Sequence, residues 1–139
     1  MYEAATFELS SLLGFALIVL MTIVAQAMRL SATAGSAYTL SARGDASKES
    51  DEVYQRLSRA VRNGLESLGI YAVIVLVGTL TQSVDHVTSI AALVFLGGRT
   101  LHPILYALNA VPFRSLAWTA SFLSMCVFAG RVAYNLYVS

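Results

Sequence analysis

The chain predicts an all-α membrane protein, a bundle of four transmembrane helices. Of its 139 residues 57% are hydrophobic and its mean hydropathy is +0.68. Four apolar runs of spanning length follow one another, and the later ones are joined by short polar links. A soluble domain of this size buries only part of its surface, so this composition would leave adhesive apolar patches in water. Lipid as solvent removes that conflict. The net charge of +1 argues against a nucleic-acid partner, because phosphate backbones are bound by a basic face. The single cysteine, Cys126, lies in an apolar run; it supplies no disulfide framework and no zinc spacing, and reads as a small packing residue.

The whole chain reads as one domain, 1–139, with spans at about 7–30, 52–82, 86–108 and 112–137. The first holds an uncharged run from Leu9 to Met28, about the 20 residues a helix needs to cross a bilayer. Ala25-Gln26-Ala27 faintly resembles a signal-peptidase site, but Glu3 and Glu8 stand where a signal peptide carries basic residues. A retained span is expected. The second uncharged run, Ser67 to Val84, continues backwards into a charged helical stretch from near Asp51. The third covers about Val87 to Leu108, interrupted by Arg99 and His102, and the fourth runs from about Pro112 to Leu136.

Ser31 to Ser50 is rich in Ser, Ala, Gly and charge without apolar periodicity, which predicts a solvated loop. The links near Thr81 to Ser89 and at Asn109-Ala110-Val111-Pro112 are short, so the helices they join are antiparallel neighbours. Arg29, Arg43, Lys48, Arg56, Arg59, Arg62 and Arg114 fall at one end of the bundle. Arg131 falls at the other, with Glu3, Glu8 and Asp85. The positive-inside rule then places the long loop, 31–51, in the cytoplasm and both termini outside. Without a retention signal for the endoplasmic reticulum, the expected host is a bacterial inner membrane. Tyr2, Tyr134 and Tyr137 read as anchors at the membrane interface.

Ionisable groups in or beside a span are costly unless they face a bundle interior, a cavity or a partner, so they mark function by default. At about 100° per residue, Arg56, Arg59, Arg62, Asn63 and Glu66 fall within an arc of roughly 120° on the second helix. Arg99, His102 and Tyr106 fall within about 60° on the third. Pro103 cannot donate to the carbonyl of Arg99, which predicts a kink and a free oxygen beside these side chains. Blander readings stay open. Arg56 and Arg59 can snorkel to headgroups, Arg62 with Glu66 can be a structural ion pair, and His102 alone can be a satisfied interior histidine. The surplus decides between them: five arginines on facing elements exceed what one glutamate neutralises, and that calls for an anionic ligand. The planar fork of arginine suits carboxylate or phosphate. Glu66 can accept from a ligand amine and Asn63 can serve a peptide group. A small peptide with two carboxylates and one amine, such as glutathione, fits this inventory better than phosphate.

The stretch Arg59-Ala60-Val61-Arg62-Asn63-Gly64-Leu65-Glu66 resembles the second-helix signature of the MAPEG family, the membrane-associated proteins of eicosanoid and glutathione metabolism. Gly98-Arg99-Thr100-Leu101-His102-Pro103-Ile104-Leu105-Tyr106 resembles its third-helix motif, and Pro112-Phe113-Arg114-Ser115 the opening of its fourth helix, close to the microsomal prostaglandin E synthase branch. The motifs cover about residues 52–118; the remainder matches by hydropathy. The resemblance implies a MAPEG-like bundle assembled as a homotrimer, with glutathione held between subunits near the cytoplasmic side. It implies Arg59, Arg62, Asn63, Glu66, Arg99, His102 and Tyr106 as glutathione ligands, with Arg29, or Gln26 beside it, as a looser first-helix contact. Arg114 is implied to stabilise the glutathione thiolate and Ser115 to hydrogen-bond the sulfur. Val61, Gly64, Ser67 and Trp118 depart from the family pattern, which loosens the link to any named mammalian activity.

Three functions compete. One is a glutathione-dependent transferase or peroxidase acting on lipophilic small molecules, a detoxification enzyme in contact with membrane lipid and needing no metal. Another is a non-catalytic lipid-binding or scaffolding protein of the same family. The last is an anion-conducting bundle, against which the apolar outer halves of the spans argue. Arg62, Asn63, Glu66 and Arg114 together favour the enzyme.

Overall fold

In the computed structural model, which describes residues 2–41 and 51–138 and side chains from residue 7 onward, every long apolar run is a helix. Helix α1 spans Tyr2–Ala34, α2 Ser36–Leu40, α3 Glu52–Leu80, α4 His86–Ala107 and α5 Val111–Val138. Four of them, over Phe7–Ala34, Glu52–Leu80, His86–Ala107 and Val111–Val138, are long and apolar enough to cross a membrane. Most of the expected loop, including Arg43 and Lys48, lies outside the described residues, as do the side chains of Tyr2 and Glu3.

The loop reading is corrected at its start. The chain stays helical through Ala34, and only Gly35, at φ +85°, ends the helix before the short α2. A Ser-Ala-Thr-Ala sequence needs no apolar periodicity to extend a helix already nucleated, because propagation is far less costly than nucleation. The hydroxyl of Thr33 donates to the Arg29 carbonyl at 2.9 Å, and Gly35 N–H closes the last turn on Ser31 O at 3.1 Å.

The other helix ends have sequence causes. Asp51 caps α3 by accepting from Tyr54 N–H. Asp85 caps α4 with a reciprocal box: its carboxylate accepts from Val87 and Thr88 N–H, and its own N–H donates to Thr88 Oγ1 at 2.9 Å. Gln82 (φ +56°) and Asn109 (φ +57°) make the two tight turns. Helix α4 stays continuous across Pro103.

Helices α4 and α5 form the most extensive pair, followed by α1 with α3 and then α1 with α4. The core lies where all four spanning helices meet: Phe15 of α1, Tyr71 of α3, Phe95 of α4 and Phe128 of α5 are each at most 1% exposed. Tyr71 stacks on Phe95 with ring centroids 3.8 Å apart, while Phe15 (5.0 Å to Phe95) and Phe128 (6.0 Å to Tyr71) meet the stack edge-on. Such aromatic pairs add about 0.5–1.5 kcal/mol each beyond their burial. Outside this core Leu13, Met21, Val73, Leu93 and Leu116 stand exposed, as lipid-facing residues do when the solvent is itself apolar. Hydroxyls along the spans donate back to their own helix, as Thr22 does to Ile18 O (2.7 Å), Thr100 to Leu96 O (2.8 Å) and Ser121 to Ala117 O (2.8 Å).

Small residues set the helix spacing. A Cβ on Gly98 would collide with Ser121 Oγ and lie 2.8 Å from the Ala117 carbonyl, so α4 and α5 touch backbone to backbone there. At the end away from the arginines, Asp85 ties α5 to the α3–α4 turn. Its Oδ2 accepts from Arg131 Nε at 2.6 Å and Asn135 Nδ2 at 3.1 Å, and Asn135 also donates to Ser83 O at 2.9 Å. Burial alone would push the Asp85 carboxyl up. The donors Asn135, Arg131 and the N–H groups of Thr88 and Val87 outweigh it and hold the carboxyl below its ordinary range.

Two outcomes are expected in detergent. Gly98→Ala destabilises the fold by about 1–3 kcal/mol through overpacking, whereas Gly97→Ala, with nothing within 4 Å of its added Cβ, stays within about 0.5 kcal/mol of the parent. Equal effects in chemical unfolding would refute the close α4–α5 approach. Asp85→Asn keeps a capping oxygen but loses the charge, lowering stability near neutral pH by about 1 kcal/mol. A lowered folded-state pKa stabilises above the unfolded value of about 3.9 and is lost as pH falls through the folded value. The two proteins therefore converge as pH falls from about 4 through the lower folded value; a difference that does not shrink over that fall contradicts the tie.

Candidate functional site: a basic cleft at one end of the bundle

The arginine-rich end of the bundle opens into a cleft between α3, α4 and α5. Asn63 of α3, His102 and Tyr106 of α4, and Arg114, Ser115, Trp118 and Thr119 of α5 line about 700 Å³ of empty space. Helical spacing on α4 puts His102 and Tyr106 on one face, where their rings meet edge-on at 5.4 Å. The short Asn109 turn then delivers Arg114, in the first turn of α5, to the same ring. The Arg114 guanidinium lies 4.4 Å from the Tyr106 centroid, and Arg59 of α3 reaches that ring at 5.9 Å. Two cations thus approach the one ring of Tyr106, whose electron-rich face attracts each of them.

Arg99 is placed differently from the pattern on the helix wheel. It is 3% exposed, behind the cleft wall, with its guanidinium 5.7 Å from the Phe15 ring and 5.4 Å from Phe95. Its Nη1 donates to Asn63 Oδ1 at 2.7 Å, and its Nε has no partner among the described residues. Arg62 and Glu66 pair on the outer face of α3 at 3.3 Å, with side chains 83% and 63% exposed. Ser115 Oγ is exposed and donates to Val111 O at 3.1 Å. Arg56 reaches Glu52 at 3.5 Å along its own helix. Among the described residues Glu66 is the one carboxylate paired with any of Arg59, Arg62, Arg99 and Arg114. The cleft therefore carries a net positive charge.

The first-helix candidates stand apart. Arg29 is committed to Asp51, which takes both its Nε (2.9 Å) and Nη2, and Gln26 donates to Ser58 Oγ at 2.8 Å. The Arg29 hydrogen bond, with the Tyr54 N–H, holds the Asp51 carboxyl below its usual range. These contacts join α1 to the start of α3 rather than to the cleft.

The MAPEG family model matches residues 7–134, all four spanning helices included. The chain belongs to the MAPEG family. No curated protein and no solved structure matches it. As a MAPEG protein it is an integral, multi-pass membrane protein of the eicosanoid and glutathione metabolism kind. Its four-helix bundle is the architecture the sequence predicts.

Sequence reasoning missed a second polar cluster in this MAPEG chain, in the half of the bundle away from the arginines. Glu8 is fully buried there, and its Oε1 accepts from Thr88 Oγ1 at 2.9 Å and Ser89 Oγ at 2.8 Å. One turn along, Ser11 Oγ and Tyr71 OH are 2.6 Å apart. The expectation that the outer halves are almost wholly apolar is thereby corrected. A signal existed: Glu8, Ser11, Phe15, Val19 and Thr22 repeat at three- and four-residue steps, the spacing of one buried helix face. Between this cluster and the cleft stands the packed layer of Phe15, Tyr71, Phe95 and Phe128. Trp118 and Thr119 were also absent from the candidate set. They follow from Arg114 and Ser115 at four-residue spacing on α5, and Trp118 is further held by stacking on Phe122 at 5.2 Å.

Proposed function

We propose that this protein is a membrane-bound, glutathione-dependent transferase or peroxidase that prepares the glutathione thiol for attack on lipophilic electrophiles. The observation that carries the reading is the pair of guanidinium groups, Arg59 and Arg114, on the single ring of Tyr106 at the wall of an open cleft. Arg114 in the wall, Arg59 on its tyrosine, Arg99 behind it and Arg62 on the outer face of α3, against one paired glutamate among the described residues, suit a small dianionic peptide, and the Nε of buried Arg99 has no partner among those residues.

Arg59, Arg62 and Arg114 supply forked donors for carboxylates. Glu66 accepts from an amine. Asn63, His102 and Tyr106 supply neutral polar contacts. Bound glutathione supplies a thiol nucleophile. A free thiol titrates near 8.5 and is only a few per cent ionised at neutral pH, and each unit of lowering needs about 1.4 kcal/mol of preference for the anion. Arg114, at the mouth of α5, places a full positive charge where it favours the ionised form of an acid bound beside it, and the exposed Ser115 hydroxyl can exchange its Val111 carbonyl bond for one at the same point.

The strong exposure of Arg62 and Glu66 on the outer face of α3 supports a site completed by a neighbouring copy, in a homotrimer. The basic end faces the cytoplasm of a bacterial inner membrane in this reading, and detoxification is the role. One observation favours a second reading, a lipid-binding protein without catalysis. An apolar groove of about 980 Å³ runs along α1 and α4 past Leu17, Met21, Pro103, Ile104 and Leu108, and an acyl chain fits its character.

Purified protein with glutathione is expected to show thiolate ultraviolet absorption and turnover of a chromogenic electrophile. Arg114→Ala should abolish the absorption and slow turnover by about a hundredfold or more. Thiolate absorption unchanged in Arg114→Ala would refute the role of Arg114. Glutathione binding without turnover of any electrophile would overturn the catalytic reading.

A further inference from the structure

Arg99 carries the helix-wheel signature of a ligand contact but is 3% exposed, and it is not among the residues lining the cleft. Its one hydrogen bond among the described residues runs to a side chain of the cleft lining. Nη1 donates to Asn63 Oδ1 at 2.7 Å, and Asn63 lines the open space. A guanidinium has donors and no acceptor, so it can engage only the oxygen of a carboxamide. The Asn63 amide is thereby denied the flip that an asparagine facing solvent is free to make. With the oxygen turned back toward Arg99, the NH₂ is the branch left for the cleft.

Burial reinforces this one-way arrangement. Arg99 sits against the faces of Phe15 and Phe95 and has no ion pair with a carboxylate among the described residues. Its charge thus has few alternatives to the Asn63 oxygen, and a charge-assisted bond in a low-dielectric setting is stronger than a neutral one. We infer that Arg99 is a positioning residue: it fixes Asn63 as an obligate hydrogen-bond donor, so the cleft selects a ligand that presents a carbonyl or carboxylate oxygen at that point. The inference rests on the glutathione reading and adds to it the direction of one hydrogen bond and the residue that sets it.

A double-mutant cycle on glutathione affinity, measured by calorimetry in detergent, tests the inference. Arg99→Met and Asn63→Ala should each weaken binding about tenfold, the worth of one good hydrogen bond. The double variant should lose no more than about tenfold, because Arg99 acts through Asn63. Arg99→Lys, also a pure donor, should stay within about threefold of the parent. Losses that multiply to about a hundredfold in the double variant would show that Arg99 contacts the ligand itself, and an Arg99→Met protein of parental affinity would show that it contributes nothing; either overturns the inference. Should Arg99→Met fail to fold, Asn63→Asp carries the test. It keeps an acceptor on Arg99 but turns an oxygen to the cleft, so affinity should fall while the unfolding temperature does not, and retained affinity overturns the inference. Absence of glutathione binding in the parent protein is a separate result, seen before any variant is made; it removes the glutathione reading, and this inference with it.

Discussion

The stacked rings of Tyr71 and Phe95, met edge-on by Phe15 and Phe128, bring one side chain from each spanning helix to a single place. In a bilayer, apolar burial gives little reason for one helix to prefer another over lipid, so packing shape and polar contacts must hold the bundle. The aromatic layer provides the shape, and the glycine at position 98 lets α5 come close enough to complete it. Polar groups are then sorted to either side. Thr88 and Ser89 donate to Glu8 Oε1 and Ser11 meets Tyr71 in one half, and the arginine cleft occupies the other. Arg99 rests directly on Phe15 and Phe95, so the layer is also the floor of the candidate site.

The two ends differ in how their charges are settled. At the end with Asp85, Arg131 has its carboxylate and Asn135 bridges to the turn, while buried Glu8 has two hydroxyl donors on Oε1 and no partner among the described residues on Oε2. At the other end, among the described residues, the arginines outnumber the acids that reach them, and two cations rather than a cation and a carboxylate approach the Tyr106 ring. A matched set such as Asp85, Arg131 and Asn135 holds helices together and leaves nothing to recruit. An unmatched one, at the mouth of an open cleft, is the condition under which an anionic ligand contributes free energy instead of competing for partners.

Much of this was legible in the sequence because the relevant rules act over short distances. Span length and charge placement set the four helices, and the four-residue steps from Arg59 to Asn63 and from His102 to Tyr106 placed each pair on one face of its helix. Spacing did not tell that Arg99, on the same face as His102, would turn inward while Arg62, one position from Asn63, would turn out. That choice depends on which neighbour packs where, and periodicity within a single helix carries no such information. The commitment of Arg29 to Asp51 was hidden for the same reason, since it joins residues 22 apart across a chain reversal. Glu8 was read as a terminal charge because its partners, Thr88 and Ser89, lie some 80 residues away. The helical extension to Ala34 was missed because apolar periodicity is a signal of burial, and an alanine-rich helix end needs none.

The central claim is that the basic end of the bundle is a site for a small anionic peptide, with its charge rather than its thiol holding it in place. The most direct measurement is the unfolding temperature of the detergent-solubilised protein as a function of glutathione concentration, repeated with glutathione whose sulfur is methylated. A ligand bound only by the folded state raises stability with the logarithm of its concentration above the dissociation constant. Both peptides are expected to raise the unfolding temperature in that way and to similar extents. An unfolding temperature that does not move with either peptide would contradict the account.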